Sequence, residues 1–329
     1  MRLVRALAVL VLLGALAGGY QVYRLSQPYR GFSGAIYVEF SRGTSAGTIA
    51  RMLTEAGVLP NRWDFWMIHL LKRGRVLQAG EYRFDTAASP LQVFDRIARG
   101  DIFYYELVVP EGKNLFDIAA AIEQLGLFPG PEFLAAARNP TLIRDLDPQA
   151  PSLEGYLFPS TYRLSRHTSP ARLCRIMTAK FREEWLRLHT PADLHDTVTL
   201  ASLVEKEGKL PQERPVIAAV FENRLHIGMK LDCDPTTIYA ALLDNRYRGV
   251  IHKSDLESEN LYNTYRHRGL PPGPIANPGL ASLKAVLEPA DSEALYFVAR
   301  PDGSGGHEFS NTIAAHQAAT ARYRRGLQR

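Results

Sequence analysis

Val38-Glu39-Phe40-Ser41-Arg42-Gly43 and, 69 positions later, Leu107-Val108-Val109-Pro110-Glu111-Gly112 open two copies of one pattern. At that offset Ile49 meets Ile118, Ala50 meets Ala119, Leu53 meets Ile122 and Gly57 meets Gly126, and Val58-Leu59-Pro60 meets Leu127-Phe128-Pro129. After a short insertion, Gly80-Glu81-Tyr82-Arg83-Phe84 aligns with Glu154-Gly155-Tyr156-Leu157-Phe158. The alternating Ile36, Val38 and Phe40 have the period of a half-buried strand. Ile49 and Leu53 share one face of a helix that stops at Gly57. Each copy therefore reads strand, helix, helix, strand, and residues 33–100 and 103–165 are expected as two βααβ modules.

From Asp196 onward the periodicity changes. Helices are expected over Thr197–Glu207, Val216–Leu225, Thr236–Leu243, Leu280–Leu287 and Ile313–Arg325, and a strand over Leu295–Arg300. A Gly/Pro-rich loop, Leu270-Pro271-Pro272-Gly273-Pro274 to Asn277-Pro278-Gly279, and a Gly-rich turn at Asp302–Gly306 punctuate them. The fold class is α+β, with residues 195–329 as a C-terminal α+β domain whose loops can line a cleft.

The 329 residues carry 39 Lys+Arg against 34 Asp+Glu, a net charge of +5. Arg2, Arg5, Arg24 and Arg30 supply four of those charges within the first thirty residues, which hold no acid. The rest is almost neutral, so no basic stripe exists to neutralise phosphates, and nucleic acid is not an expected partner. The arginines flank an apolar run instead. The eighteen residues 6–23, between Arg5 and Arg24, would span about 27 Å as a helix, close to the hydrocarbon thickness of a bilayer. A single transmembrane helix follows, with residues 1–5 as a cytoplasmic tip and the residues beyond Gln27 outside the cytoplasm. The rival is a cleaved signal peptide, because Ala15-Leu16-Ala17 has the small-x-small form of a cleavage site. Both readings export the remainder.

Several short motifs invite chemistry. Gly43-Thr44-Ser45-Ala46-Gly47 matches a G-x-S-x-G nucleophile elbow, but its module is too short for a hydrolase sheet, and a turn with Thr44 or Ser45 at a helix start competes. Gly303-Ser304-Gly305-Gly306-His307 lies between strand-like pieces and reads as a hairpin turn. The nine histidines form no H-E-x-x-H, and Cys174 and Cys233 do not make a four-ligand zinc site, so no metal is expected. The informative segment is Thr199-Leu-Ala-Ser-Leu-Val-Glu-Lys-Glu-Gly208. On a helical wheel Glu207 falls within the main apolar arc, and Glu205 falls on a second strip with Val198, Ala201 and Ser202. A half-apolar setting raises a carboxyl pKa, as a general acid near neutral pH requires. The wheel does not choose between the two glutamates.

Leu200-Ala-Ser-Leu-Val-Glu-Lys-Glu207, Val220-Phe-Glu-Asn-Arg-Leu225, Gly228-Met-Lys-Leu231, Asp234-Pro-Thr-Thr-Ile-Tyr239, Tyr262-Asn-Thr-Tyr265 and Gly269-Leu-Pro-Pro-Gly-Pro-Ile-Ala276 with Asn277-Pro-Gly279 form an ordered series. Together with Glu154-Gly-Tyr-Leu-Phe-Pro159, Leu295-Tyr-Phe-Val298 and Gly305-Gly-His307, this series resembles the MltG (YceG-like) endolytic murein transglycosylases over essentially the whole chain. The resemblance implies a membrane-anchored enzyme of the cytoplasmic (inner) membrane, its catalytic part on the extracytoplasmic, periplasmic side. Such an enzyme cuts peptidoglycan glycan strands internally and ends their elongation. The resemblance makes 33–100 a LysM-like glycan-binding module, with 103–165 a relative of it. It also implies peptidoglycan and penicillin-binding wall synthases as partners, no cofactor, and Glu205 as the single catalytic acid/base.

One carboxyl group suffices for that reaction, because the muramyl C6 hydroxyl serves as nucleophile where a water-using glycosidase needs a second carboxylate. Glu154, Tyr156, Asp234, Asn263, Tyr265 and Asn277 are the candidate substrate-binding residues, with Tyr239 a further ring for stacking on sugar; each also fits a structural role. Gly208 and Asp232-Cys233 depart from the family's usual pattern. Two rivals stand: a non-catalytic glycan-binding scaffold, and a hydrolytic muramidase with Asp234 or Asp232 as second carboxylate.

Overall fold

The computed structural model describes residues 2–326; Met1 of the expected cytoplasmic tip and residues 327–329 of the expected C-terminal domain lie outside the described residues. The chain is mixed α+β and divides into two compact units, one reaching Tyr105 and the other beginning at Glu106.

In the first unit, α1 (Arg2–Ser26) is a single helix whose segment Leu7–Ser26 is long and apolar enough to cross a membrane. Its far end joins the unit's core, since Leu25 is buried there and the Arg24 guanidinium pairs with buried Asp64. Strand β1 (Ile36–Phe40), α2 (Ala46–Glu55), α3 (Arg62–Leu71), β2 (Gly80–Phe84) and α4 (Pro90–Arg99) follow. The strands pair antiparallel with Val38 opposite Tyr82 and Phe40 opposite Gly80. Val38, Phe40, Tyr82 and Phe84 meet Ile49 and Leu53 of α2, Phe65 and Ile68 of α3, and Phe94 and Ile97 of α4. Ser45 of the elbow-like motif caps α2, accepting the Thr48 N–H at 3.2 Å, so the cap reading holds.

The second unit starts with the repeat: β3 (Tyr105–Val109, its first residue shared with the boundary), α5 (Leu115–Gln124), α6 (Gly130–Ala137), the 3₁₀ turn Pro140–Leu142, β4 (Ser160–Leu164) and α7 (Pro170–Arg187). Strand β4 hydrogen-bonds β3. The sequence alignment of Glu154–Phe158 with β2 is therefore corrected, since the strand lies six residues further on. Tyr82-Arg83-Phe84 corresponds to Tyr162-Arg163-Leu164, and Ser89-Pro90 to Ser169-Pro170, all at an offset of 80. The geometry agrees: the Tyr82 hydroxyl donates to the Gln78 carbonyl at 2.8 Å, and the Tyr162 hydroxyl to Phe158, four residues upstream in both cases. Ser89 and Ser169 cap α4 and α7 alike, so the repeat has five elements, not four. Between the helix pair and the second strand the second copy is eleven residues longer, and that insertion carries Glu154 and Tyr156.

Beyond it lie α8 (Leu194–Glu207), the 3₁₀ turn Pro211–Glu213, α9 (Arg214–His226), α10 (Asp234–Leu243), α11 (Lys253–Leu256), α12 (Leu280–Leu287), the antiparallel hairpin β5 (Tyr296–Ala299) and β6 (His307–Ser310), and α13 (Ile313–Gly326). Gly303–Gly306 is the turn of that hairpin, as the sequence suggests. His307 pins it, with its N–H donating to Glu213 at 3.0 Å and Nδ1 2.8 Å from the same carboxylate.

Gly155 occupies the left-handed region at φ +87°, and a Cβ there would lie 2.4 Å from Pro274 Cγ and 2.9 Å from Val198 Cγ1. Gly155→Ala is expected to cost about 2–4 kcal/mol, the sum of left-handed strain and overpacking, read from the urea midpoint at unchanged slope.

Candidate active site

Helix α8 is the spine of the second unit. Thr197 to Val204 are all buried, against α9, α10 and α12, and the C-terminal turn leaves the core. Glu205 and Glu207 in that turn point about 200° apart, at 100° per residue, into different surroundings.

Glu205 is enclosed, its side chain 4% exposed. Oε1 accepts from Arg214 Nη2 at 2.8 Å; Oε2 accepts the Gly279 N–H at 3.0 Å and the Ser282 hydroxyl at 2.8 Å. Gly279 is the N-cap of α12 and has no side chain to cap it. The Glu205 carboxylate does that work from outside, at the positive end of the helix dipole. Glu111 packs closely over Gly279, so that a Cβ there would sit 1.8 Å from its Oε1 and the Glu111 side chain would have to swing away. All three partners donate, and only Ser282 can reverse and accept. Through these contacts Glu205 ties α8, α9 and α12 together.

Glu207 instead lines a cavity of about 640 Å³ with Arg224, Asp232, Asp234, Tyr265 and His316. Burial pushes its carboxyl up, Asp234 nearby adds to the rise, and a Cys233 S–H donating to Oε1 at 3.3 Å opposes it. Burial likewise raises Asp232, against the attraction of Arg224, and depresses His316, with Arg224 adding to the fall. Arg224 is fixed by the carbonyls of Leu231 at 2.7 Å and Leu295 at 2.6 Å, beneath the Tyr296 ring. Thr264 fastens the Asp234 turn to the Asn263–Tyr265 segment: its hydroxyl accepts the Cys233 N–H at 3.0 Å and lies 2.8 Å from that of Thr236. The Tyr265 hydroxyl then donates to Asp234 at 2.7 Å. The cavity thus offers carboxyl groups of unequal environment, an arginine and aromatic rings, a set suited to protonating and binding a polar, uncharged chain.

Of the six residues named from sequence as substrate-binding, Asp234 and Tyr265 face this cavity. The other four are buried, and their polar groups are taken up by partners within the protein. Glu154 accepts the Leu115 N–H at 2.9 Å and Asn277 Nδ2 at 3.0 Å, and it sits in a turn rather than in the strand expected from the repeat. Tyr156 donates to Asp147, which also lies 2.8 Å from His195 Nδ1, and its ring packs edge-on to Phe181. Asn263 donates to the carbonyls of Leu256 and Ser258 and accepts the Tyr265 N–H. Asn277 accepts the Leu157 N–H at 2.9 Å and donates to Lys113 at 2.8 Å. Tyr239 is buried beside Glu154. Arg224 and His316 are the residues sequence reasoning passed over. Arg224 stands inside a quoted motif, whereas nothing in the α13 sequence announces His316.

The model of the YceG-like family matches residues 38–322. A Bacillus subtilis (strain 168) protein named endolytic murein transglycosylase is 30% identical over 311 residues, which cover 88% of this chain and 84% of that protein. A Streptococcus pneumoniae (strain D39) protein of the same name is 28% identical over 297 residues, covering 80% of this chain; the chain spans about half of that relative's length, 54%. The 2.6 Å crystal structure of a yceG-like protein from Listeria monocytogenes aligns with a TM-score of 0.54 at 30% identity, covering 87% of this chain and 99% of that one. Matched through both of its units, this chain belongs to the YceG-like family.

Proposed function

We propose that this chain is a membrane-anchored endolytic peptidoglycan transglycosylase. It cleaves the MurNAc–GlcNAc β-1,4 bond within nascent glycan strands, leaves 1,6-anhydro-MurNAc ends and so terminates strand elongation. Its exported part is held at the outer face of the inner membrane by α1, and its 33–100 module is a LysM-like glycan-binding domain. Relatives named endolytic murein transglycosylase support the reaction class. The observation that carries the site is Glu207: a carboxyl raised by burial, at the wall of a cavity that also holds Asp234 and Tyr265. We therefore move the acid/base role from Glu205, where the sequence motif puts it, to Glu207, and give Glu205 a positioning role.

In this mechanism Glu207 donates its proton to the glycosidic oxygen as the C1–O4 bond breaks. The resulting carboxylate takes the proton of the muramyl C6 hydroxyl as O6 bonds to C1. The proton count closes, and Glu207 ends protonated. Asp232 and Asp234 in the same cavity favour one second reading, hydrolysis with a carboxylate activating water. Mass spectrometry of digested peptidoglycan decides: anhydro ends are expected, and ends one water heavier would establish the muramidase. Wild-type protein that binds glycan without cutting it would establish the scaffold.

A further inference from the structure

Helix α3 carries apolar side chains on its outer as well as its inner face. Phe65 and Ile68 enter the core, yet Trp63 and Trp66 point outward, 59% and 47% exposed, with Leu70 on the same stripe. A soluble helix buries such a stripe or replaces it with polar residues, so an exposed one marks a contact surface. The loop beyond continues the pattern with Leu71 and Val76 exposed among Arg73 and Arg75, and Arg62 stacks over the Trp63 ring at 5.1 Å.

The position of this face identifies its occupant. Leu7–Ser26 covers 20 residues, about 30 Å of helix, which matches the hydrocarbon core and brings Arg24 to its boundary. Arg24 is paired with Asp64, the residue between the two tryptophans nearest Trp63, and Leu25 is already in the unit's core. The α3 backbone at Trp63 and Trp66 is therefore within about one helical turn of the point where α1 leaves the bilayer. Tyr20 and Tyr23 stand exposed on the last turns of α1 itself. Tryptophan and tyrosine with arginine beside them are the side chains that favour the headgroup level, the rings in the acyl boundary and the cations on anionic lipid. A glycan platform combines rings with hydrogen-bonding side chains, and here the stripe offers two tryptophans and a leucine with Arg62 alone beside them.

We propose that the Trp63–Trp66 face of α3 is a second membrane contact, laying the first unit on the outer headgroup–acyl boundary of the bilayer that α1 crosses; this rests on reading α1 as a membrane span. The contact adds an interfacial anchor to the span and fixes the orientation of the first unit at the surface.

The chain has three tryptophans, and the third, Trp185, is buried and stacked on Phe181. The full chain carrying Trp185→Phe, in phosphatidylcholine–phosphatidylglycerol nanodiscs, therefore emits from Trp63 and Trp66 alone. Lipid brominated near the headgroup end of its acyl chains is expected to quench that emission, which is blue-shifted relative to a water-exposed indole and unchanged by added muroglycan oligosaccharides. Retention of the chain in the disc after an alkaline wash, without quenching, overturns the proposal while leaving the span intact. Loss of the chain at that wash overturns both. A glycan-induced spectral change without lipid quenching assigns the face to glycan and also overturns the proposal. Trp63→Ser with Trp66→Ser, two exposed substitutions, should leave thermal unfolding unchanged and abolish the lipid-dependent hydrogen-exchange protection of α3.

Discussion

Glu207→Gln abolishes formation of anhydro-muramyl ends, with a loss of at least about 10²–10⁴-fold expected from removing a general acid/base, and leaves the protein as stable as before or slightly more so. The stability half follows from the cavity. Burial raises the Glu207 carboxyl, so the charged form is costly in the fold, and Gln removes that cost while retaining an acceptor for Cys233. The pH sign is fixed by the same shift. The acid must carry its proton to act, so the alkaline limb of kcat/KM lies above the ordinary glutamate range, near 4.3. The Cys233 S–H favours the charged form, so Cys233→Ala moves that limb further up. As a stability term, a raised carboxyl contributes fully below its unfolded value, and the contribution is lost as pH rises through its folded value. Glu205→Gln is the counterpart. With its oxygen on Arg214, its amide nitrogen would face the Gly279 N–H donor to donor, and losing the charge that pairs with buried Arg214 costs about 3 kcal/mol or more. Its activity should fall in step with folded fraction and recover at temperatures where the variant is folded. A stable, inactive Glu205→Gln beside an active Glu207→Gln would restore the motif's first glutamate as the acid.

The two glutamates show what a linear reading can and cannot reach. Helical periodicity gives the angle between Glu205 and Glu207 correctly. It says nothing about what covers each side, because the cavity around Glu207 is built from residues 221–234, Tyr265, the β5 strand and α13. The repeat was legible for a related reason: apolar spacing and the Gly57/Gly126 helix stops are local signals. Its last strand was misplaced because Glu154-Gly-Tyr-Leu-Phe mimics Gly80-Glu-Tyr-Arg-Phe in composition, while the insertion that separates them has no local signature. Helices α4 and α7 were missed although both announce themselves by Ser-Pro at the start, a serine cap followed by proline in the first turn. Polar residues in loops, Asn263 and Asn277 above all, looked like sugar ligands. In the fold they satisfy backbone groups that irregular loops leave without partners, a need that becomes visible only once the loops are placed.

The Glu154–Asn277 pair should therefore dominate stability rather than substrate affinity. Asn277→Ala leaves the buried Leu157 N–H without its acceptor and removes one donor each from the Glu154 carboxyl, which keeps the Leu115 N–H, and the Lys113 carbonyl, which keeps the Asn277 backbone N–H. At about 1–3 kcal/mol for the orphaned N–H and about 0.5–1.5 kcal/mol for each of the two further hydrogen bonds lost, a loss of about 2–5 kcal/mol follows, a large share of what a domain of this size holds. Urea unfolding measures it; an Asn277→Ala chain within about 1 kcal/mol of wild type and weakened only in glycan binding would return Asn277 to the substrate. Glu154 supplies the pH signature. Burial raises its carboxyl to about 8, against the opposing hydrogen bonds from Leu115 and Tyr239. Its folded value lies above its unfolded one, so the stability it contributes is complete below the ordinary glutamate range and is lost as pH rises through about 8. At about 1.4 kcal/mol per pH unit, wild type should be less stable at pH 9 than at pH 6 by an amount far above measurement error. In Glu154→Gln, which cannot ionise, the slope from this residue disappears, even though the amide NH₂ is left facing a donor among Leu115, Asn277 and Tyr239. Identical pH slopes in wild type and Glu154→Gln would mean that the buried carboxyl is already compensated in its charged form. The insertion that distinguishes the second copy of the repeat would then be held by something other than a neutral glutamic acid at its centre.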